Sequence, residues 1–509
     1  MIKAISITVI FTFLGQLLGF IVEILIANNF GTNWKADAYF LALVIPTILY
    51  DLFIAGINAI FIPTYIVKQR DGKADSIFSA VINISILILS FIAIVTFVLS
   101  PYLIKLIAGR FSSEARELTV IITRLLLILV ITMPLAITMS CRLNAHNRFA
   151  LPALGKFFNF AFIIVFLTLL KNSLDIYSLP LGFIVGNVFF IFSLILLSYK
   201  EGLGYSLHIN MSDPVLKEMG ILFLPIIAAT VVNYANILIE RSVAAGFPEG
   251  SIAALNYAFR LINIPLNLFI LAGLTVILPA YSRYAAVGDL NSLREHAFKG
   301  LRFVSFFITP VIVGILIFRT PLVKLLFERG EFTSQSTELT STAILFYVFG
   351  LLGLVAVTVM SRVFYALKDI KKLSVIGILI ILLNIVLILS LSRIFGFAGI
   401  PLTFSITSTA HMLVLAFSLG RRLKTPLLSP MLKVFFKHLL AATIMGLVST
   451  GFIAVTKEYA GNFSSIALTL NLLMAAMIGS AIYIAISYAL KVKEAEYVLN
   501  LRGTFNQKF

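Results

Sequence analysis

Long apolar stretches follow one another along almost the entire chain, and they constrain its fold more than any other feature of the sequence. About 20 consecutive apolar residues form an α-helix long enough to cross the hydrocarbon core of a membrane. Such a helix also satisfies its backbone hydrogen bonds internally, as a chain in lipid must. The sequence therefore predicts an all-α polytopic membrane protein with about 14 transmembrane helices. The predicted helices span residues 5–27, 38–67, 77–108, 117–141, 150–170, 178–198, 214–245, 251–282, 298–318, 336–366, 373–392, 398–420, 432–455 and 464–490.

Basic residues are concentrated on one side of these predicted helices. With a cytoplasmic N-terminus, the inner segments hold about two thirds of the 39 Lys and Arg residues and fewer than half of the 22 Asp and Glu residues. Cytoplasmic loops of membrane proteins are enriched in Lys and Arg, so both termini are predicted to be cytoplasmic. Topology and anionic membrane lipids account for the formal net charge of +17, and no nucleic-acid partner is expected.

An internal repeat divides the chain. Gly31–Pro46 reads GTNWKADAYFLALVIP and Gly250–Pro265 reads GSIAALNYAFRLINIP, so each runs from Gly to Pro at the same offset. The copies lie at the second and eighth predicted helices, an offset of six, and an even offset predicts parallel halves that rock about a central site. The predicted domains are a six-helix bundle at residues 1–200, a second at 201–424, and two extra helices with a cytoplasmic tail at 425–509.

Several motifs along the chain resemble one known family. They are NNFGTNWKADAYFLALVIP (28–46), LNAHNRFALPALG (143–155), ERSVAAGFPEGSIAALNYAFRLINIP (240–265), ILPAYS (277–282), LFERGEFT (326–333) and FYALKDIK (364–371). This set resembles the MurJ/MviN group of lipid-linked glycan flippases, within the multidrug/oligosaccharidyl-lipid/polysaccharide (MOP) exporter superfamily.

The resemblance implies a MATE-like fold of two six-helix bundles around a central cavity, with the last two helices beside a groove for a polyprenyl tail. It implies a monomer in the bacterial cytoplasmic (inner) membrane. It also implies translocation of lipid II, the undecaprenyl-pyrophosphate-linked peptidoglycan precursor, from the inner to the outer leaflet by alternating access. The expected partner is therefore a lipid-linked oligosaccharide.

Arg260 is the first candidate for binding the substrate. It lies nine residues into the predicted eighth helix, matches an Arg in the family motif, and carries a planar fork suited to phosphate. An alternative role is to hold helices together through carbonyl groups or Asp51. Asn236 and Asn256 could hydrogen-bond the sugar or peptide, and interhelical hydrogen bonding is an equal competitor.

The first two helices depart from the family pattern. Where lipid II flippases carry Arg, the resemblance places Gln16, Val22 and Tyr50 in this chain. Gln16 remains a candidate substrate contact. The loss of positive charge leaves the exact cargo open, and another lipid-linked surface glycan is an alternative.

Five charged residues are candidates for cavity charge or ion coupling. Glu23 and Asp51 could take up a proton or cation, or be fixed partners of an Arg. Asp37 could contribute negative charge to the cavity, or it could cap the start of a helix. Glu240 and Arg241 form an expected interfacial pair near the outer end of the seventh helix.

No ATP-binding G-x-x-x-x-G-K-[ST] motif occurs, so membrane potential or an ion gradient is the expected energy source, and no cofactor is expected. A cation-coupled multidrug exporter of the same superfamily is the second hypothesis. A membrane-embedded glycan polymerase or ligase is a third, opposed by short outer loops and the lack of a catalytic motif. A scaffold without transport is a fourth, suggested by the missing Arg residues.

Overall fold

The computed structural model describes residues 2–72, 74–207, 214–460 and 465–499. Within these ranges the backbone forms helices joined by short turns, and it contains no β-strand. The α-helices are α1 (Ile2–Phe30), α2 (Trp34–Ala42), α3 (Val44–Gly56), α4 (Ile62–Arg70), α5 (Ala74–Ile107), α6 (Ser113–Leu126), α7 (Ile128–Ala145), α8 (Ala150–Ala153), α9 (Gly155–Leu169), α10 (Lys171–Leu174), α11 (Ser178–Lys200), α12 (Pro214–Ala244), α13 (Ser251–Ala286), α14 (Leu290–Phe327), α15 (Ser334–Tyr347), α16 (Leu351–Ala366), α17 (Ile370–Phe395), α18 (Gly399–Arg422), α19 (Leu428–Ala460), α20 (Ser465–Ala489) and α21 (Lys493–Leu499).

The helices confirm the predicted class of all-α polytopic membrane protein. Ten helical stretches among the described residues are long and apolar enough to cross a membrane, and α9 is a shorter apolar helix. Each predicted span falls on one helix or on a short series of helices. The number of 14 spans, and the cytoplasmic position of the termini, stay predictions.

The helix predicted at residues 38–67 is interrupted. α2 ends at Ala42 because Pro46, in the next turn, has no N–H group to donate to the Ala42 carbonyl oxygen. That oxygen instead accepts a long hydrogen bond of 3.4 Å from Thr123 Oγ1. A π-helical turn at Ile57–Phe61 then separates α3 from α4. Such turns are frequent at functional sites, so this helix differs from a plain membrane anchor.

The chain packs as two compact units. The first is Met1–Ala253 together with Arg329–Thr333, and the second is Ala254–Glu328 together with Ser334–Phe509. The boundary between these two packing units lies one helix after the domain boundary predicted at residue 200, because α12 packs on α3 and α5 of the first unit. Packing and sequence repetition are different properties, and the three predicted domains stay predictions.

The core of the first unit lies between α3, α4, α5, α7 and α11. Its buried rings include Phe61, Tyr65 and Phe78, and the Tyr65 and Phe78 ring centroids lie 5.4 and 6.4 Å from that of Phe61. Apolar burial does not by itself hold helices together in lipid, so close ring packing and polar contacts carry more of the stability. The unit is therefore held by its aromatic core and by the polar contacts described below.

The second unit includes the last three helices. α19 and α20 pack on α14 around Phe306 and Tyr483, whose hydroxyl donates to the Phe306 carbonyl oxygen at 2.6 Å. α21 contributes Glu494, which binds Arg302 of α14 at 2.8 Å. The extra helices are thus an integral part of this unit rather than an appended anchor.

Candidate functional site

Asp37 forms the most specific polar contact among the predicted site residues. Its side chain is only 3% exposed in the first turn of α2. Its two carboxylate oxygens accept hydrogen bonds from the Gly250 and Ala253 backbone N–H groups, each at 2.7 Å. These groups belong to the start of α13, where N–H groups have no partner within the helix. Asp37 therefore caps α13, while Asn33 caps α2 by accepting from Ala36 N.

The opening glycines of the two repeat copies each lie close to a backbone carbonyl oxygen. Gly250 has a φ of +87°, and a Cβ there would stand 2.1 Å from the Thr32 carbonyl oxygen. Gly31 has a φ of +55°, and a Cβ there would stand 2.2 Å from the Glu331 carbonyl oxygen. Only glycine combines this left-handed backbone with so close an approach. The motif glycines are thus required by the packing of the first unit.

Arg241 lies beside the Asp37 contact. Its Nη1 donates to the Ile252 carbonyl oxygen at 3.5 Å, and its charge is within electrostatic reach of Asp37. Its Nε has no hydrogen-bond partner among the residues described. The structure therefore brings Asp37 and Arg241 together with the first turn of α13. Glu240, the preceding residue, is half-buried.

Asp51 pairs with a tyrosine. The Tyr234 hydroxyl of α12 donates a hydrogen bond to Asp51 Oδ2 of α3. The neighbouring Tyr50 hydroxyl lies 3.2 Å from Thr47 Oγ1. A carboxylate that is half-buried in a membrane and bonded to a hydroxyl is suited to bind a proton or a cation.

Arg260 lies on α13 at a depth of about 14 Å from the helix start at 1.5 Å per residue. Its side chain is half-buried, and it forms no ion pair with any residue that the structure describes. The rings beside it are packed: Tyr257 lies 5.4 Å from Phe327, and Phe259 lies 5.8 Å from Phe404. Arg260 is therefore a cation at membrane depth without an internal counter-ion in the described part of the chain.

The remaining candidates are dispersed over three helices. Gln16 and Glu23 are half-buried on α1, and Glu23 lies within electrostatic reach of Tyr39. Asn236 is half-buried on α12, and its Oδ1 has no hydrogen-bond partner among the described residues. Asn256 is half-buried on α13. Their roles in substrate binding or coupling stay predictions.

Arg142 is a polar centre that the prediction missed. It is 1% exposed at the end of α7, and its guanidinium binds Asp75, the Gly204 carbonyl oxygen at 2.7 Å and the Tyr65 hydroxyl at 3.3 Å. It also lies 4.0 Å from the centroid of the Phe78 ring. A buried Arg is stable only with such partners. An isolated basic residue at the end of an apolar helix was the available signal in the sequence.

These features define a polytopic membrane protein with a MATE-like fold. A solved multidrug MATE transporter of the MOP superfamily, in an inward-facing conformation, matches with a TM-score of 0.69 over 84% of this chain and 99% of that chain. The sequence identity of 15% means that this likeness shows the fold alone.

The chain belongs to the lipid II flippase MurJ family, whose model matches residues 26–471. The lipid II flippase MurJ of Thermosipho africanus is 30% identical over 80% of this chain and 83% of its own length. A probable lipid II flippase MurJ of Rickettsia prowazekii is 27% identical over 94% and 96%. A solved lipid II flippase MurJ in an inward closed conformation matches with a TM-score of 0.80 at 26% identity, over 95% of this chain and 98% of that chain.

Proposed function

We propose that this chain is a lipid II flippase that carries the undecaprenyl-pyrophosphate-linked peptidoglycan precursor from the inner to the outer leaflet of a bacterial cytoplasmic membrane. The observation that carries the proposal is the match to a solved lipid II flippase MurJ over 95% of this chain. The headgroup leaves chemically unchanged, so the proposal requires no catalytic step. The proposed cycle alternates access from one side of the membrane to the other.

Arg260 is the proposed phosphate contact. A pyrophosphate must exchange its water shell for protein groups, and a guanidinium offers two parallel N–H donors to phosphate oxygens while staying ionised. A charge at membrane depth costs about 2.5 kcal/mol or more, so an Arg without an internal partner requires a functional reason. The half-buried Arg260 has no ion-pair partner among the described residues, which supports this role.

Asp51 is the proposed coupling group. Its bond to Tyr234 gives the carboxylate a partner that can donate a hydrogen bond in one state and be displaced in another, when Asp51 binds a proton or a cation. Directed transport requires such contacts to differ between the two states of the cycle. In this proposal the membrane potential or an ion gradient supplies the energy, the monomer is the working form, and anionic lipids surround its basic cytoplasmic side.

A multidrug exporter is not favoured. Its only support is the shared fold at 15% identity, whereas the family model and the more similar relatives carry the name of lipid II flippases.

The test uses a bacterium depleted of its own lipid II flippase and expressing this chain. Outer-leaflet lipid II is measured as the fraction cleaved by an added enzyme that cannot cross the membrane. The chain is expected to restore that fraction, and lipid II that stays inaccessible at normal expression would overturn the proposal.

Arg260→Gln tests the phosphate contact in the same cells. It is expected to lower transport about ten- to a hundredfold, the scale of losing hydrogen bonds to a charged group. Arg283→Gln is the matched control because Arg283 is exposed in the last turn of the same helix. Equal transport by the two variants would remove Arg260 from the site without affecting the flippase assignment.

A further inference from the structure

One turn of the second predicted membrane helix is wound differently from the rest. Between α3 and α4, the residues Ile57–Phe61 form a π-helical turn, in which a carbonyl oxygen bonds to the fifth N–H group along the chain instead of the fourth. Such a turn holds one residue more than an α-helical turn. It lies within Trp34–Gln69, a stretch long and apolar enough to cross a membrane. π-Helical turns are rare, so this one requires an explanation.

The backbone that follows the π-helical turn is anchored in the core of the first unit. Phe61 and Tyr65 are each 1% exposed. The Tyr65 hydroxyl accepts from Arg142 Nε at 3.3 Å and lies 3.0 Å from His146 Nε2. Buried rings and hydrogen bonds therefore fix α4 on α5 and α7.

The backbone that precedes the turn is held less firmly. Every residue of α3 from Thr47 to Ala55 is only half-buried. Besides its packing on α7, α3 is joined to α12 by the hydrogen bond from Tyr234 to Asp51. The Phe53 ring of α3 also lies 6.1 Å from the Phe223 ring of α12, measured between centroids. The hydrogen bond from Tyr234 is thus a specific link between α3 and α12.

Two residues beside the turn favour a change of angle there. A Cβ on Gly56, the last residue of α3, would lie 2.2 Å from Cε1 of Phe223, so glycine lets the α3 backbone lie directly against that ring. Pro63, in the first turn of α4, has no N–H group to donate to the Ala59 carbonyl oxygen four residues earlier. Sharp bends in helices occur mainly at proline and at π-helical turns, and both are present here.

We propose that the π-helical turn Ile57–Phe61 is a hinge about which α3 bends relative to α4. While Tyr234 is bonded to Asp51, α3 stays on α12. When a proton or a cation on Asp51 displaces Tyr234, α3 bends at the turn and α4 stays in the core. The hinge rests on the contacts of the first unit, whereas its trigger rests on the coupling role proposed above for Asp51.

A pair of variants tests whether the extra residue is needed. Pro63→Ala restores the missing N–H group and keeps the length of the turn. The shortened variant combines Pro63→Ala with deletion of the exposed Ala59, which leaves a continuous α-helix with Phe61 and Tyr65 still on their core face. Pro63→Ala should transport lipid II as the wild type does in flippase-depleted cells. The shortened variant should transport about tenfold less, the scale of one or two backbone hydrogen bonds that must break for the helix to bend.

This pair also separates the hinge from a simpler role, in which the π-helical turn only accommodates the proline. In that case the two variants would transport lipid II equally. Equal transport by two folded variants, at equal expression, would overturn the hinge.

Hydrogen–deuterium exchange tests the hinge without any cargo. In the purified full chain, the amides of residues 58–62 should exchange about tenfold faster in Pro63→Ala than in the shortened variant, since bending opens the turn. Equal exchange would overturn the hinge. Exchange that differs as expected, in a chain that carries no lipid II, would instead contradict the proposed function alone.

Two conservative variants test the trigger and keep the proposal testable if the shortened variant does not fold. Tyr234→Phe removes the hydroxyl that bonds to Asp51 and should speed exchange at residues 58–62 about fivefold, the scale of one hydrogen bond. Tyr50→Phe is the matched control, because the Tyr50 hydroxyl lies 3.2 Å from Thr47 Oγ1 within α3 itself. It should leave exchange at the turn unchanged. Equal exchange in these two variants would overturn the link between Asp51 and the hinge.

Discussion

Removing the Asp37 carboxylate should loosen the first turn of α13. Both oxygens accept backbone hydrogen bonds of 2.7 Å, and the side chain is 3% exposed, so water cannot replace it without local opening. A hydrogen bond to a charged acceptor contributes about 1.5 kcal/mol or more. Asp37→Ala loses two such bonds, and Asp37→Asn loses one because its amide retains a single accepting oxygen.

These values convert into rates of amide exchange. At 1.4 kcal/mol per factor of ten, the Gly250 and Ala253 amides should exchange about a hundredfold faster in Asp37→Ala and about tenfold faster in Asp37→Asn. Hydrogen–deuterium exchange of the purified chain, followed by mass spectrometry of the peptide that contains the start of α13, measures both effects.

Asn33→Ala provides the control for this experiment. Asn33 caps α2 and accepts from Ala36 N at 3.0 Å, so its loss should speed exchange at Ala36 and leave the start of α13 unchanged. If Asp37→Ala left exchange at Gly250 and Ala253 within threefold of the wild-type rate, the capping contact would not hold the start of this helix.

Two further predictions concern the first unit. Gly250→Ala should destabilise the chain by more than the roughly 1–2 kcal/mol of left-handed backbone strain, because the added Cβ would collide with the Thr32 carbonyl oxygen. Gly72→Ala is the control: its φ is +69°, its Cβ would meet open space, and it should cost only the backbone strain. Unfolding in mixed micelles compares them, and equal losses would refute the packing argument. Asp75→Ala should release the extended segment Leu203–Leu207, because Gly204 N donates to Asp75 Oδ2, and should speed proteolysis of that segment. Asp71→Ala, which breaks an exposed pair with Lys68, should not. Equal cleavage of the two variants would show that other contacts hold the segment.

The positions of the helices and the assignment to membrane proteins could be predicted from the sequence, because the length of an apolar stretch is a local property of the chain. The windows predicted from composition fall on the helices, and Pro46 marks the break that divides α2 from α3. The repeat pointed to Gly31 and Gly250 as equivalent positions, and the structure gives the reason in their positive φ and close backbone contacts. Local signals were therefore sufficient to predict the all-α membrane class and most helix positions.

The contacts of the site were less accessible to sequence reasoning because they join distant residues. Asp37 could be recognised as a capping residue, but its true partner is a helix start 213 residues away rather than its own helix. Asp51 was expected to serve an Arg or an ion, and its partner is Tyr234. Arg142 and Asp75 lie 67 residues apart, and no periodic pattern connects them. Side-chain partners across helices depend on packing that a single sequence does not specify.

Transport by the purified full chain tests the central claim most directly. The chain is reconstituted into liposomes with fluorescent lipid II, and the fraction that an external, membrane-impermeant reagent can modify is followed over time under an imposed membrane potential. The account predicts that the chain makes the inner-leaflet lipid II accessible, while a fluorescent phospholipid in the same vesicles stays protected. Lipid II that stays as protected as in protein-free vesicles, at every polarity of the potential and with proton and sodium gradients, would contradict it.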